Sequence, residues 1–262
     1  MKRHYIKWTN EDVSILKTHY NNRTPKEISK LFPNRKWLNI LKKANDIGLK
    51  LKSIHTGNIL GKTSNLLEDD EITYYWIGFI LADAHITSNN RLVVSLSNVD
   101  KTHLDKFRKF LELPKKSLKV KDTYSYIAIM DNFNIKLLKE KFSLFDKKTY
   151  NPPILDYYES LPDNLFISLL IGFIDGDGCI RIRNNTTIPV ITIKNHKSWT
   201  NFQQLILDKL NKFHKHNAKT HIAQQKYSYI CISQRQLINF LKQKAIEFNL
   251  PYLKRKWNKV PL

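Results

Sequence analysis

The chain carries almost no sulfur. Cys179 and Cys231 are its only cysteines in 262 residues, too few for a disulfide framework or a four-ligand zinc site, and the scarcity fits a reducing compartment. Acidic residues are outnumbered, 23 Asp+Glu against 44 Lys+Arg, leaving a formal net charge of +21. Long apolar runs are missing as well. The longest uncharged stretches, residues 72–82 and 165–174, fall well short of the roughly 18 apolar residues that suggest a membrane span. Residues 1–6 lack the apolar core of a signal peptide. These absences predict a soluble, intracellular, cytoplasmic protein with no membrane partner.

Apolar material is plentiful, with 42% hydrophobic and 11% aromatic residues, so the chain has enough to build folded cores. A folded protein this cationic suits a polyanion, nucleic acid first. At ~150 residues per domain, the length suggests about two domains.

Residues 1–50 read as three short helices, near Asn10–Tyr20, from Pro25 to about Leu31, and from just after Pro33-Asn34 to Gly48. Thr9 or Asn10 caps the first and Pro25 opens the second. Trp37, Ile40, Leu41, Ala44 and Ile47 form an apolar stripe at helical spacing on the third, opposite Arg35, Lys36, Asn39, Lys42 and Lys43. Residues 51–68 lose this periodicity and read as a linker.

Beyond residue 69 the chain repeats itself. Trp76-Ile77-Gly78-Phe79-Ile80 returns as Leu170-Ile171-Gly172-Phe173-Ile174, and Tyr124-Ser125-Tyr126-Ile127 as Tyr227-Ser228-Tyr229-Ile230. Phe142-x-Leu144-x-x-x-Lys148 returns as Phe248-x-Leu250-x-x-x-Lys254. Three matches in one order predict two copies of one unit, 69–150 and 163–262, joined by 151–162. Each copy reads as an apolar helix (71–82, 163–175), a strand pair (84–97, 178–195), a helix (100–112, 197–212), a second hairpin (117–130, 217–232) and a closing helix (131–142, 234–248). Apolar and basic residues alternate along the strands, giving each sheet one core face and one basic face.

Gly78 and Ala82, then Gly172 and Gly176, are four residues apart and give each leading helix a stripe of small residues. If these faces pack, Asp83 and Asp177 at the helix ends are forced together. Each then lies at the negative end of a helix dipole beside a like charge, a penalty that a divalent cation reverses. Mg²⁺, with Mn²⁺ as a substitute, suits the two carboxylates, and the carbonyls of Ala82 and Gly176 are further candidate ligands. Such an ion activates water and stabilises the leaving oxygen of a phosphodiester. The cluster His214, His216, Asn217 and His221 has no cysteine or carboxylate close in sequence and reads as a lysine-rich turn, not a zinc site.

Residues 170–178, Leu-Ile-Gly-Phe-Ile-Asp-Gly-Asp-Gly, resemble the LAGLIDADG motif, and residues 76–84 resemble a degenerate first copy. With two such motifs, residues 70–262 are similar to monomeric LAGLIDADG homing endonucleases. The resemblance implies an α+β fold of two pseudo-symmetric αββαββα halves, packed through their motif helices, with saddle-shaped antiparallel sheets on double-stranded DNA. It implies metal-dependent cleavage at Asp83 and Asp177, supported by a basic residue late in each half (Lys148, Lys254) and a polar one closing the second strand (Asn98, Asn195). Base-reading candidates follow from strand parity. They are His85, Thr87, Arg91, Ser95, Lys119, Lys121 and Tyr126 in one half, and Arg181, Arg183, Thr192, Lys194, Lys219 and His221 in the other. Leu81 replaces the family's earlier aspartate, and Ala84 replaces its final glycine, a strain if that position needs positive φ. Trp8-Thr9-x-Glu11 and Ile40-x-x-x-Ala44-x-x-Ile47-Gly48-Leu49 resemble Myb/SANT-like helix-turn-helix domains, which implies a DNA contact by the third helix. The expected activity is a site-specific double-strand DNA endonuclease. An intron RNA maturase and a cleavage-dead DNA-binding regulator of the same fold are the alternatives.

Overall fold

The computed structural model describes residues 7–20, 25–49, 61–184 and 186–260. They divide into two compact units, one ending at Gly57 and one beginning at Asn58.

The first unit contains α1 (Asn10–His19), α2 (Pro25–Leu31) and α3 (Trp37–Asp46). Thr9 starts α1 with a reciprocal cap, its hydroxyl accepting from the Asp12 amide while the Asp12 carboxylate accepts from the Thr9 amide, both at 3.1 Å. Leu16, Tyr20, Ile28, Phe32, Ile40 and Ala44 form its core, with Trp37, Leu41 and Ile47 packed against them.

The second unit runs α4 (Glu71–Asp83), β1 (Ala84–Ile86), β2 (Arg91–Ser97), α5 (Lys101–Phe110), β3 (Leu118–Val120), β4 (Tyr124–Met130) and α6 (Asn132–Lys141). After the short α7 (Leu155–Glu159), the order repeats as α8 (Asp163–Asp177), β5 (Gly178–Ile182), β6 (Pro189–His196), α9 (Thr200–Phe213), β7 (Thr220–Ala223), β8 (Tyr227–Ile232) and α10 (Arg235–Glu247). A last turn, α11, covers Lys254–Trp257. The fold is α+β, two αββαββα halves with antiparallel sheets ordered β1-β2-β4-β3 and β5-β6-β8-β7.

The registers match the strands of the two halves residue by residue. Ala84 opposes Val94 as Gly178 opposes Ile193, and Leu96 opposes Ser125 as Asn195 opposes Ser228. Ile86, Leu92, Val94, Ile127 and Ile129 lie on the buried face of the first sheet, and Ile180, Ile191, Ile193, Ile230 and Ile232 on that of the second.

The motif helices α4 and α8 are buried over most of their length and pack on each other. Glycine is required at their closest approach. A methyl at Gly78 would lie 1.8 Å from the Leu169 carbonyl oxygen, and one at Gly172 would lie 1.8 Å from that of Tyr75. The position shared by Ala84 and Gly178 imposes no left-handed backbone, since their φ values are −83° and −77°. The expected strain at Ala84 is therefore absent.

Within the span read as a linker, residues 51–60 lie outside the described residues. Thr63–Leu67 form a 3-10 turn, with Leu66 buried in the main core and the Thr63 hydroxyl hydrogen-bonded to Asp131. Sequence periodicity missed this turn because five residues are too few to display one.

Candidate active site

Asp83 and Asp177 close α4 and α8 at the same register position. A Cβ added to Gly176 would meet the Ala82 methyl at 2.2 Å and the Asp83 amide nitrogen at 3.4 Å, so the two helix ends touch. Asp83 keeps an exposed flank and Asp177 is half-buried. Desolvation is the leading cause that raises both carboxyl pKa values, and the Asp83 charge adds to the rise at Asp177. Like charges repel in both directions, so this coupling belongs to the pair. Lys148 and Lys256 oppose the rise at both aspartates.

Those lysines cap the two motif helices. The Lys148 ammonium donates to the carbonyls of Ile80 at 2.9 Å and Leu81 at 2.8 Å, and to that of Ala82. Lys256 donates to the equivalent carbonyls of Ile174 at 3.1 Å, Asp175 at 2.5 Å and Gly176 at 3.0 Å, and to Gly178 at 2.7 Å. A cation placed on the final carbonyls of a helix satisfies orphan acceptors and opposes the macrodipole. Burial lowers both ammonium pKa values, that of Lys148 to about 8.

Two sequence expectations change here. Lys254 is exposed, and Lys256 is the counterpart of Lys148. The halves stay in step through Leu144 and Leu250, after which the second segment is two residues longer, so the sequence repeat pointed to the wrong lysine. The carbonyls of Ala82 and Gly176, expected as metal ligands, each accept from a lysine ammonium, which occupies one of the two lone pairs of each oxygen. Asn98 is not the counterpart of Asn195, because that position in the first half is Leu96. The Asn98 amide donates to the carbonyls of Lys121 at 2.8 Å and Asp122 at 3.0 Å, tying down the β3–β4 turn. Asn195 does reach the site. It donates to the Asp177 carboxylate at 2.7 Å and is itself held by Gln203 at 3.1 Å. Beside it a cavity of about 440 Å³ opens among Lys148, Asp177, Lys194, His196, Trp199 and Tyr227.

Asp175, where the first half has Leu81, is fully enclosed. Its carboxylate accepts from Tyr75 at 2.7 Å, the Leu253 amide at 2.8 Å and the Trp257 indole at 2.8 Å. Burial nevertheless raises its pKa to about 6.

The outer sheet faces gather part of the expected base-reading set. Ser95, Tyr126 and Lys119 form one cross-strand row, and Lys194, Tyr229 and His221 form its equivalent. His221 stacks on Tyr229 at 5.0 Å, and the Lys194 ammonium lies 4.3 Å above the Tyr227 ring. Tyr229 was missed in the sequence, although the repeated Tyr-Ser-Tyr-Ile aligns it with Tyr126. His85 and Thr192 lie on adjoining rows, Arg181 opposes Val190, and Arg91 opposes Met130. Thr87, Lys121, Arg183 and Lys219 flank the strands, with Lys121, Arg183 and Lys219 exposed.

In the first unit Lys36, Asn39 and Lys42 are exposed and Lys43 is half-exposed. Arg35 belongs elsewhere. Its side chain is 8% exposed, pairs with Asp12 at 2.7 Å, and lies 3.9 Å over the Trp8 ring. It therefore holds the helices together instead of facing outward.

Residues 167–244 match the LAGLIDADG-like domain family. The LAGLIDADG-like span covers most of α8 through most of α10 and lies within the second half. No curated protein matches the chain. Among solved structures, meganuclease I-SmaMI bound to uncleavable DNA is similar at 13% identity and TM-score 0.47, covering 71% of this chain and 88% of that one. The LAGLIDADG homing endonuclease I-GzeII in complex with its DNA target gives the same four values. I-AabMI bound to uncleaved DNA gives 13%, 0.46, 71% and 86%. At such identities and scores, the fold assignment rests on this chain's own strand order and helix packing.

Proposed function

We propose that the protein is a site-specific double-strand DNA endonuclease that works as a monomer through Asp83 and Asp177. The observation that carries this reading is the meeting of two carboxylates at glycine-packed helix ends, each helix capped by a lysine. A structural turn needs one aspartate and gains nothing from a second like charge beside it.

The donor set fits a divalent metal. Among the described residues no group of three or more His, Cys, Asp or Glu side chains surrounds the pair. A Mg²⁺ site held by one or two carboxylates, with water and substrate phosphate filling the other positions, needs no more. Asp83 and Asp177 would hold the ion, which when bound supplies activation of water and stabilisation of the departing oxygen. The chain's own residues set the stage for this. Asn195 fixes the orientation of the Asp177 carboxylate. Lys148 and Lys256 neutralise the helix ends on which negative charge accumulates. The outer-face rows, with Lys119, Lys194, Arg181 and His221, supply backbone and base contacts in the groove. In the N-terminal unit, Lys36 just before α3, with Asn39, Lys42 and Lys43 on it, adds a second DNA contact, and tethering raises its effective concentration.

The test needs no known target. The protein is incubated with a randomised duplex library in Mg²⁺, beside EDTA and Asp177→Asn controls, and every newly created end is sequenced. Ends sharing one long motif, absent from both controls, are expected. Metal-independent enrichment without cutting would make the protein a regulator. Neither cutting nor selective duplex binding would move the reading to intron RNA.

A further inference from the structure

Each capping lysine sits on a strap that follows the closing helix of its half, roughly residues 145–151 after α6 and 251–260 after α10. Both straps start beyond a left-handed residue, Ser143 (φ 48°) in one half and Asn249 (φ 50°) in the other. Each strap is bonded within its own half, as by Leu253 and Trp257 to Asp175, and is also held by contacts from the opposite half. On the first strap, the Trp199 indole donates to the Lys148 carbonyl at 3.0 Å and to that of Thr149 at 3.2 Å, and the Ser198 hydroxyl donates to Thr149 at 3.1 Å. The Trp199 ring in turn stacks on Phe173 of α8 at 5.7 Å. On the second strap, Arg255 makes a two-pronged ion pair with Asp100 at 2.9 and 2.6 Å. The Lys106 ammonium donates to the Pro251 carbonyl at 3.0 Å and that of Tyr252 at 3.3 Å. Both lie in the stretch between Leu250 and Lys256 where this strap is two residues longer.

Asp100 and Trp199 occupy the same position in the two halves, four residues beyond the matched pair Leu96 and Asn195. One position thus carries two unlike fasteners, a carboxylate that grips a guanidinium and an indole that grips a carbonyl. We infer that these are crossed latches: Trp199 of the second half positions Lys148, and Asp100 of the first half, through Arg255, positions Lys256. The lysine at each aspartate is therefore indexed in part by the other half, through a fastener its own half does not supply.

This inference rests on the endonuclease reading for its catalytic consequence but not for its geometry, and the test separates the two. Trp199→Phe keeps the ring and loses the donor. Asp100→Asn keeps the shape and loses the charge, and Arg255→Met serves where Asp100→Asn does not fold. First, the metal-free, DNA-free protein is treated with an amine-acylating reagent, and the modification of Lys148 and Lys256 is read by mass spectrometry. Trp199→Phe is expected to expose Lys148 alone, and the Asp100 or Arg255 variant Lys256 alone. Second, a cleavable duplex labelled on both strands gives the ratio of first-strand nicking rates. The two kinds of variant should displace that ratio in opposite directions, by about five-fold each, the equivalent of one lost hydrogen bond. Equal exposure of both lysines, or a ratio that stays fixed while both rates fall, would overturn the latches. Selective exposure with no nicking by any version, the unaltered protein included, would sink the nuclease reading and leave the latches standing.

Discussion

Replacing Gly172 with alanine puts a methyl carbon 1.8 Å from the Tyr75 carbonyl oxygen and 3.0 Å from the Phe79 nitrogen. Both neighbours are backbone in a buried helix and neither can rotate aside. Overpacking of a closed interior costs about 1–3 kcal/mol, and a backbone obstacle places this site at the upper end. Alanine returns about 1 kcal/mol through its better helix propensity, so the net loss is about 2 kcal/mol. For a unit of this size that lowers Tm by about 4–8 °C. Gly78→Ala should cost the same, because its methyl meets Leu169 in the mirror-related contact. The sharper expectation concerns the double variant. Once α4 and α8 have parted to admit one methyl, the second enters almost freely, and the combined loss should fall well below the sum of the two. Urea and thermal unfolding of the four proteins measure this directly. Full additivity, or no loss in either single variant, would refute the idea that one helix-to-helix approach sets both clashes.

Lys256→Met should abolish the activity and destabilise the fold by leaving four carbonyls without their donor, whereas Lys254→Met should leave both near normal; parallel nicking assays and melts decide it. Asp175 carries a pH signature. Its folded pKa of about 6 lies above the unfolded value near 3.8, so the folded chain holds the extra proton between those pH values and stability falls as pH rises through that window. Asp175→Asn should remove that part of the slope in urea midpoints taken from pH 4 to 7. Arg35→Ala should unfold the N-terminal unit more easily, by about 1–3 kcal/mol for a lost ion pair and cation–π contact, as amide hydrogen exchange would report; a weaker DNA contact at unchanged stability would contradict its buried placement.

Much of the second unit was legible because its cues are local and doubled. The alternation along Gly178–Ile182, the small-residue spacing of Gly78 and Gly172, and the repeated Tyr-Ser-Tyr-Ile each predicted an element that formed. What stayed hidden depends on how loops thread. Two extra residues between Leu250 and Lys256 lengthen the strap and carry Lys256 into the place predicted for Lys254. Asn98 and Asn195 look alike in sequence, yet strand pairing puts Leu96 opposite Ser125 and sends Asn98 into a turn. Arg35 precedes α3 beside other basic residues, and only the approach of Asp12 from α1 and of Trp8 just before it turns it inward. Asp100 and Trp199 share no chemistry, so no sequence comparison of the halves would pair them.

The strand order leaves β1 and β3 as the edges of one sheet and β5 and β7 as the edges of the other. These edges are short, three to five residues, and they or the turns beside them carry exposed Lys119, Lys121, Arg181 and His221. Charge on a short edge strand resists pairing with the edge of another molecule. The residues suited to gripping a polyanion therefore also keep two unfinished sheets from joining those of neighbouring molecules. Neutralising them to probe binding would remove both properties at once, and a loss of affinity in such variants carries meaning only after light scattering has shown that the protein has not begun to polymerise through its edges.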